Sequence, residues 1–137
     1  MIASALLALV LAVGPIRGYA THYDLGLFEV VRLNRGLPVA ACYTSSDWHE
    51  LGSFVEIEGL RTGVRRVCQV SDVSKPQDRT RHMRVGLFEL DYNSAKAVCK
   101  QYFLSRWKDC PVIVRSVQQQ NSPSAYRKMR NLCFLSL

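Results

Sequence analysis

A hairpin pattern in the middle of the chain is the feature that most constrains its fold. SFVEIEGL (53–60) alternates apolar and polar residues, RTG (61–63) is a short turn with glycine, and VRRVCQVSD (64–72) alternates again. Alternation with a period of two is the signature of a half-buried β-strand, and a short glycine-containing connection joins antiparallel neighbours. The chain is therefore expected to consist of short paired strands.

Other segments of similar length also carry strand signals, being apolar or alternating and bounded by turn residues. They are GYATHYD (18–24), LFEVVRLN (27–34), LPVAAC (37–42), VGLFEL (85–90) and CPVIVRSV (110–117). The polar stretches YTSSDWHELG (43–52) and 75–84 are predicted to be loops.

One helix is predicted before the last strand. In YNSAKAVCKQYFL (92–104), apolar residues recur at 92, 95, 98, 99, 102 and 103, and Asp91 stands where a helix N-cap is expected. About six short strands, one short helix and no alternating β-α-β pattern predict a small, mainly β protein built as a closed barrel.

The N-terminal segment differs in composition from the rest of the chain. MIASALLALVLAVGPIRGYA (1–20) has an apolar run followed by small residues, as in a secretory signal peptide, although no basic residue precedes the run. We expect 1–20 to be a signal peptide or an N-terminal apolar anchor, 21–117 the barrel domain, and 118–137 a linker with a basic and then apolar C-terminal tail. The predicted location is secreted or extracytoplasmic, in a periplasm or at a cell surface, with membrane anchoring or an extracellular assembly as alternatives.

The cysteines indicate disulfides and not a metal site. The chain has 5 cysteines, none in a CxxC pair, and its histidines lack metal-ligand spacing, so no metal and no cofactor are expected. In an exported protein two disulfides and one odd thiol are the simplest arrangement. Positions at strand ends and around the helix favour Cys42 with Cys68 and Cys99 with Cys110, which leaves Cys133 free or bridging to another chain.

The charge balance points to an anionic partner. Lysine and arginine outnumber the acids 18 to 11, which gives a formal charge of +7 and a pI near 9.4. The sequence has no recognisable nucleic-acid-binding motif, so nucleic acid is not an expected partner. We expect a cell-wall glycan or another anionic polymer. A protein partner, bound through the N-terminal apolar segment and the C-terminal tail, is the alternative.

Four short motifs, taken in order, resemble a known superfamily. They are GYATHYD, GLPVAAC followed by ELGSFVEI, GLRTGVRRVCQVSD, and LFELDYNSAKAVC, and together they cover about residues 18–116. This order is similar to that of double-psi β-barrel proteins, in particular rare lipoprotein A-like and expansin-like domains. The resemblance implies a six-stranded double-psi β-barrel and a groove that holds an extended polysaccharide around a central acid.

The resemblance also implies site residues. Asp72 falls on the aspartate that closes the hairpin, Glu89 on the acid before the helix, and Tyr23 on the groove aromatic of the first strand. Asp24 lies near a second acid of the family but one residue out of step, which in a strand turns the side chain to the other face. Cys42 stands where rare lipoprotein A has a histidine, so that group's catalytic set is incomplete here.

Further side chains are candidates for substrate contacts. An aromatic ring could stack on a sugar, a nearby histidine could replace the missing one, and the basic run could meet an anionic wall. The candidates are Trp48, His49, Arg79 and Arg81. A structural alternative remains for Asp72, because an acid at a strand end often only forms a turn, here paired with Arg79 or Arg81.

Two classes of function follow. The first is an exported protein that binds a cell-wall glycan, peptidoglycan or a related polysaccharide, with lytic transglycosylase-like, glycoside hydrolase-like or wall-loosening activity as candidate chemistry. The second is a non-catalytic structural or assembly subunit, of a surface or virion type, that uses the barrel for protein–protein contacts. A small secreted protease inhibitor or defence protein of the barwin type is a third alternative. The sequence alone leaves open whether the chain is an enzyme, because fold does not determine function.

Overall fold

The computed structural model describes residues 13–23, 25–103 and 107–117. The six strands are β1 (Ile16–Tyr23), β2 (Tyr43–Ser45), β3 (Phe54–Gly59), β4 (Arg65–Asp72), β5 (Leu87–Asp91) and β6 (Pro111–Ser116). The three α-helices are α1 (Leu25–Asn34), α2 (Arg79–Val85) and α3 (Tyr92–Cys99). Single 3₁₀ turns cover Lys100–Tyr102 and Trp107–Asp109.

The strands close into a barrel in the order β1-β5-β2-β4-β3-β6. Two neighbouring pairs are parallel, β1 with β5 and β2 with β4, and the other neighbours are antiparallel. The predicted central hairpin is confirmed, with β3 and β4 paired from Phe54 opposite Gln69 to Glu58 opposite Arg65. The prediction of a small, mainly β, six-stranded closed barrel is confirmed as well.

The core lies inside the barrel and under α3. Alternate strand residues point inward and are almost completely buried, because successive side chains leave opposite faces of a strand. The apolar ones among them include Val55, Ile57, Val70, Phe88, Leu90, Val112 and Val114. From α3, Ala95 and Val98 pack against the same cluster. Each of these larger side chains contributes about 1.5–3 kcal/mol by leaving water.

The segment 27–34 was expected to be a strand, and this expectation is wrong, because it forms most of α1. Its apolar residues, interrupted by Glu29 and Arg32, fit a short strand and a helix alike. Only Phe28 is buried, at 2% exposure, whereas Leu27, Val30 and Leu33 are 49%, 55% and 64% exposed. Phe28 is therefore the one fully buried side chain of 27–34, and the helix leaves an apolar face uncovered within the described chain.

Strand β2 also lies elsewhere than expected. Residues 37–42 are irregular, and the strand is Tyr43–Ser45, in the segment expected to be a loop. The strand is polar yet fully buried, because its side chains bond to neighbouring backbone: the Thr44 hydroxyl donates to the Glu89 carbonyl over 2.9 Å. Polar segments usually form loops. Here the polar side chains are buried and form hydrogen bonds with backbone groups of neighbouring strands.

The expected charged loop is in part helical. Residues Arg79–Val85 form α2, which ends at Gly86 in the left-handed conformation, with φ of 70°. The backbone N–H of Gly86 donates to the carbonyl of His82, a C-terminal cap that glycine favours. Gly86 then leads directly into β5, and a Cβ atom on Gly18 would overlap its carbonyl oxygen. The start of β5 thus lies close against β1.

Both expected disulfides are present, joining Cys42 to Cys68 and Cys99 to Cys110. Two disulfides in a small domain are typical of an oxidising, extracytoplasmic environment. In the part of the chain that the structure describes, no helix has the length and apolar character needed to cross a membrane. Cys133, most of the predicted signal segment and the tail lie outside the described residues.

Asp91 joins strand, helix and barrel wall, and the predicted N-cap is confirmed. One carboxylate oxygen accepts from the backbone N–H of Ser94 over 3.1 Å, and the other accepts from the backbone N–H of Tyr43 over 2.9 Å. Asp91→Ala is expected to lower the free energy of unfolding by about 2–3 kcal/mol, because it removes a cap and leaves a buried N–H unpaired. Urea unfolding measures this loss. Asp78→Ala, at the N-cap position of α2, where the side chain makes no cap hydrogen bond, is the comparison, and an equal loss in both variants would contradict the argument.

Candidate functional site

Glu89 is the acid around which the candidate site is built. Its strand neighbours Phe88 and Leu90 are buried in the core, so strand alternation places Glu89 on the outer face of the barrel. It lies opposite Thr21 in the parallel pairing of β1 and β5. The outer face of these two strands forms one side of a cavity.

The cavity has a volume of about 440 Å³. This volume lies within the usual range of small-ligand clefts, about 300–1,000 Å³. The barrel strands and α2 both contribute to its lining, and the lining residues are Thr21, Arg81, His82, Val85, Leu87 and Glu89. It therefore combines apolar surface with a carboxyl, a guanidinium, an imidazole and a hydroxyl.

The surroundings of Glu89 raise its pKa to about 7. The largest cause is burial, which disfavours the charged form, and the negative charges of Asp72, Asp47 and Asp78 add to it. The charge of Lys75 opposes the shift. A carboxyl with this pKa keeps a large protonated fraction near neutral pH, so it can donate a proton.

Asp72 lies at the end of β4, where the hairpin pattern placed it. Its carboxylate pairs with Arg35, with 3.3 Å between Oδ1 and Nη2, and accepts from the backbone N–H of Val73 over 2.9 Å. Its charged partner is thus Arg35, and not Arg79 or Arg81 as the structural alternative had it. Asp72 and Glu89 are close enough for the charge of the first to act on the second.

A chain of hydrogen bonds links α2 to two loops beside this cavity. Asp47 accepts from both the backbone N–H and the hydroxyl of Ser74, over 2.9 Å and 2.7 Å. The same hydroxyl oxygen lies 2.7 Å from Nδ1 of His82. None of these three residues was a predicted site residue, and their spacing in the sequence has no recognised motif. Only the helical form of 79–85, which sequence reasoning missed, turns His82 toward the barrel.

The side chains of Tyr23, Trp48 and His49, predicted to contact substrate, already contact other residues of the protein. Tyr23 meets Phe28 edge to face at 5.8 Å between ring centroids, and Trp48 stacks on Phe88 at 5.1 Å. Nδ1 of His49 lies 2.8 Å from the Ser46 hydroxyl, and burial lowers the pKa of His49. His49 does not line the cavity, so the structure does not bring it to Glu89.

The two predicted basic contacts, Arg79 and Arg81, lie in different surroundings. Arg81 lines the cavity and pairs with Asp78 over 3.0 Å, whereas Arg79 is exposed at the start of α2. Asp24 lies outside the described residues. The roles assigned to these residues from the sequence stay predictions.

Within residues 13–23, 25–103 and 107–117, no group of three or more histidine, cysteine or acidic side chains is arranged to hold a metal ion. No protein-family model matches the chain, and no curated protein is significantly similar to it.

The raised pKa of Glu89 predicts a pH-dependent stability. Because the pKa in the folded protein is about 7 against an ordinary 4.5, the stability due to this group is full below pH 4.5 and is lost as the pH rises through about 7. With partial exposure taken into account, the loss should be about 1–2 kcal/mol. Glu89→Gln should therefore become more stable relative to the wild type between pH 4.5 and 8. Urea unfolding across that range tests this, and a constant difference between the two proteins would contradict it.

Proposed function

We propose that this chain is an exported protein that binds a cell-wall glycan, peptidoglycan or a related polysaccharide, and cleaves it by a lytic transglycosylase-like reaction with Glu89 as the proton donor. The observation that carries the proposal is the Glu89 carboxyl, which lines a cavity and has a pKa of about 7. A general acid works best when its pKa is near the working pH. Raising a carboxyl to that range by burial is a known way to make one.

The surroundings of Asp72 favour a reaction with one acid. A hydrolase needs a second carboxylate, placed as nucleophile or as base for water. Asp72 is already engaged by Arg35 and by the backbone N–H of Val73. In a transglycosylase the sugar's own hydroxyl attacks, so a second carboxylate is not required. In this proposal Asp72 contributes its charge, which keeps the proton on Glu89.

The barrel topology supports a glycan-binding role. Its closed six-stranded order with two parallel pairs is compatible with the double-psi β-barrel of rare lipoprotein A-like and expansin-like domains. In proteins of that superfamily a surface groove holds polysaccharide. The two disulfides and the apolar N-terminal segment are consistent with export.

The charges of α2 support an anionic wall polymer as the partner. Arg79, Arg81 and Arg84 are exposed on this short helix, with Arg81 at the wall of the cavity and the other two outside its lining. The field at Glu89 itself is dominated by acids. This separation of charge favours a neutral sugar unit at Glu89 and anionic groups of the same polymer at the arginines.

The test is incubation of the purified protein with insoluble peptidoglycan, chitin and cellulose. We expect the protein to sediment with one of them and to release soluble fragments whose new ends, read by mass spectrometry, are anhydro-sugars. Asp72→Asn should keep binding and lose part of the activity, since the Glu89 carboxyl then holds its proton less well. Absence of both binding and release from all three polymers would reject the proposal.

The exposed apolar face of α1 favours a second candidate, a non-catalytic assembly subunit. Leu27, Val30 and Leu33 lie three residues apart on this helix, and exposed Val39 follows it. Contiguous exposed apolar surface often marks a protein–protein contact. A concentration-dependent increase in mass that Val30→Lys abolishes would support this role. Monomeric behaviour at all concentrations would count against it.

A further inference from the structure

His82 is held by side chains from two other parts of the chain. Asp47 follows β2, Ser74 follows β4, and His82 lies in α2. Asp47 receives the backbone N–H and the hydroxyl of Ser74, and Ser74 Oγ lies 2.7 Å from His82 Nδ1. The imidazole is therefore held at Nδ1, on the side of the ring opposite Nε2.

Counting protons fixes the direction of these bonds. A carboxylate only accepts, and the Ser74 hydroxyl has one hydrogen, which goes to Asp47. The oxygen of Ser74 must then accept from His82, so Nδ1 carries a hydrogen and the lone pair of the neutral ring lies on Nε2. Ser74 is not arranged as a nucleophile, because in a catalytic triad the histidine, and not the serine, lies between the other two members.

His82 lines the same cavity as Glu89 and Thr21. One proton-exchanging group thus comes from the barrel strand β5 and the other from helix α2. Reactions that break a glycosidic bond need a proton given to the leaving oxygen and a proton removed from the attacking hydroxyl. Glu89 accounts for the first of these transfers.

We propose that His82 is a second catalytic residue, whose Nε2 removes the proton of the attacking sugar hydroxyl. This inference rests on the proposed function. As the new bond from that oxygen to the anomeric carbon forms, the bond from the anomeric carbon to the leaving oxygen breaks, and the leaving oxygen takes the proton of Glu89. The histidine then holds one proton more and the carboxyl one fewer, and exchange through water restores both. Asp47 and Ser74 are positioning residues for the imidazole.

Nitrogen NMR of the imidazole tests the positioning without any substrate. We expect neutral His82 to carry its hydrogen on Nδ1 in the wild type, and Ser74→Ala and Asp47→Asn to shift the population toward hydrogen on Nε2. Ser74→Thr keeps the hydroxyl and should keep the wild-type tautomer. A wild-type ring with its hydrogen on Nε2 would overturn the inference even if the protein cleaves glycan.

Kinetics on the glycan that the wild type cleaves tests the chemistry. His82→Gln should lower kcat by about 10²-fold with KM nearly unchanged. Ser74→Ala should lower kcat about 10- to 100-fold, through misplacement of the ring, and Ser74→Thr should recover most of it. The matched control is His22→Gln, an exposed histidine of β1 whose ring meets Tyr92 and Phe103 and does not line the cavity.

The two proposals fail in different ways. Wild-type cleavage together with an unchanged kcat in His82→Gln overturns the role of His82 and leaves the proposed function standing. Absence of cleavage by the wild type overturns the proposed cleavage reaction and the catalytic role of His82 with it, and leaves only glycan binding to be decided by sedimentation. In that case the NMR experiment still reports whether Asp47 and Ser74 orient the ring.

Discussion

Glu89→Gln is expected to lower the rate of the proposed glycan cleavage by about 10²- to 10⁴-fold, the usual contribution of a general acid. Glutamine keeps the size and polarity of the side chain but has no acidic proton to give to the leaving oxygen. Binding should change little, since the carboxyl that it replaces keeps a large uncharged fraction near neutral pH. The measurement is the initial rate of fragment release, alongside sedimentation with the same polymer.

The matched control for this variant is Glu56→Gln. Glu56 lies on β3, across the closed barrel from β5, and pairs with Arg115 over 3.4 Å. It should retain full activity, because a surface ion pair contributes about 0–1 kcal/mol and lies far from the cavity. Equal rates in Glu89→Gln and the wild type would exclude Glu89 as the acid. Equal losses in the two variants would indicate damage to the fold.

Removing the Cys42–Cys68 disulfide by alanine at both positions is expected to lower the free energy of unfolding by about 3–4 kcal/mol. The bond spans 26 residues and joins the start of β2 to the middle of β4. Without the bond the unfolded chain gains conformational entropy, because the loop between the two cysteines is no longer closed. Both cysteines also lie in the core. The free energy of unfolding of a domain of this size is about 5–15 kcal/mol, so the variant loses a large share of its stability.

The second disulfide provides the comparison. Cys99–Cys110 spans 11 residues, so its loss should cost somewhat less, about 3 kcal/mol. Both double variants are best made with Cys133→Ser, so that no free thiol can exchange with the remaining bond. Urea unfolding under non-reducing conditions gives both values. A cost below about 1 kcal/mol for the loss of Cys42–Cys68 would contradict this argument, because the unfolded chain would then gain little freedom when the bond is removed.

The barrel could be predicted from the sequence because its regular strands carry their own pattern. Segment 53–72 alternates and turns at a glycine, and the structure pairs it as a hairpin. Strand β2 could not be predicted, since its polar side chains are buried against backbone groups that belong to distant strands. Helix α1 was missed because its apolar face remains exposed. The spacing of apolar residues predicts a helix when it marks a buried face, and here it does not.

The candidate site was predictable in part. The resemblance named Asp72 and Glu89 as site residues, and in the structure the charge of Asp72 adds to the raised pKa of Glu89. The main cause of the raised pKa is burial, which depends on how α2 packs beside β5, and no local pattern reports that packing. His82, Ser74 and Asp47 meet through tertiary structure alone. Their catalytic and positioning roles remain to be tested.

The parallel pairing of β1 and β5 has a consequence for how the chain folds. Tyr19 is opposite Leu87, and the other edge of β1 pairs with β6, where Gly18 lies opposite Val112. The first strand therefore finds both of its neighbours only near the end of the domain, and such non-local pairing makes folding slow. Until then its two edges are free to pair with other chains. We expect a nascent or truncated chain that ends before β5 to aggregate, and the full chain to fold late, after nearly all of it has been synthesised.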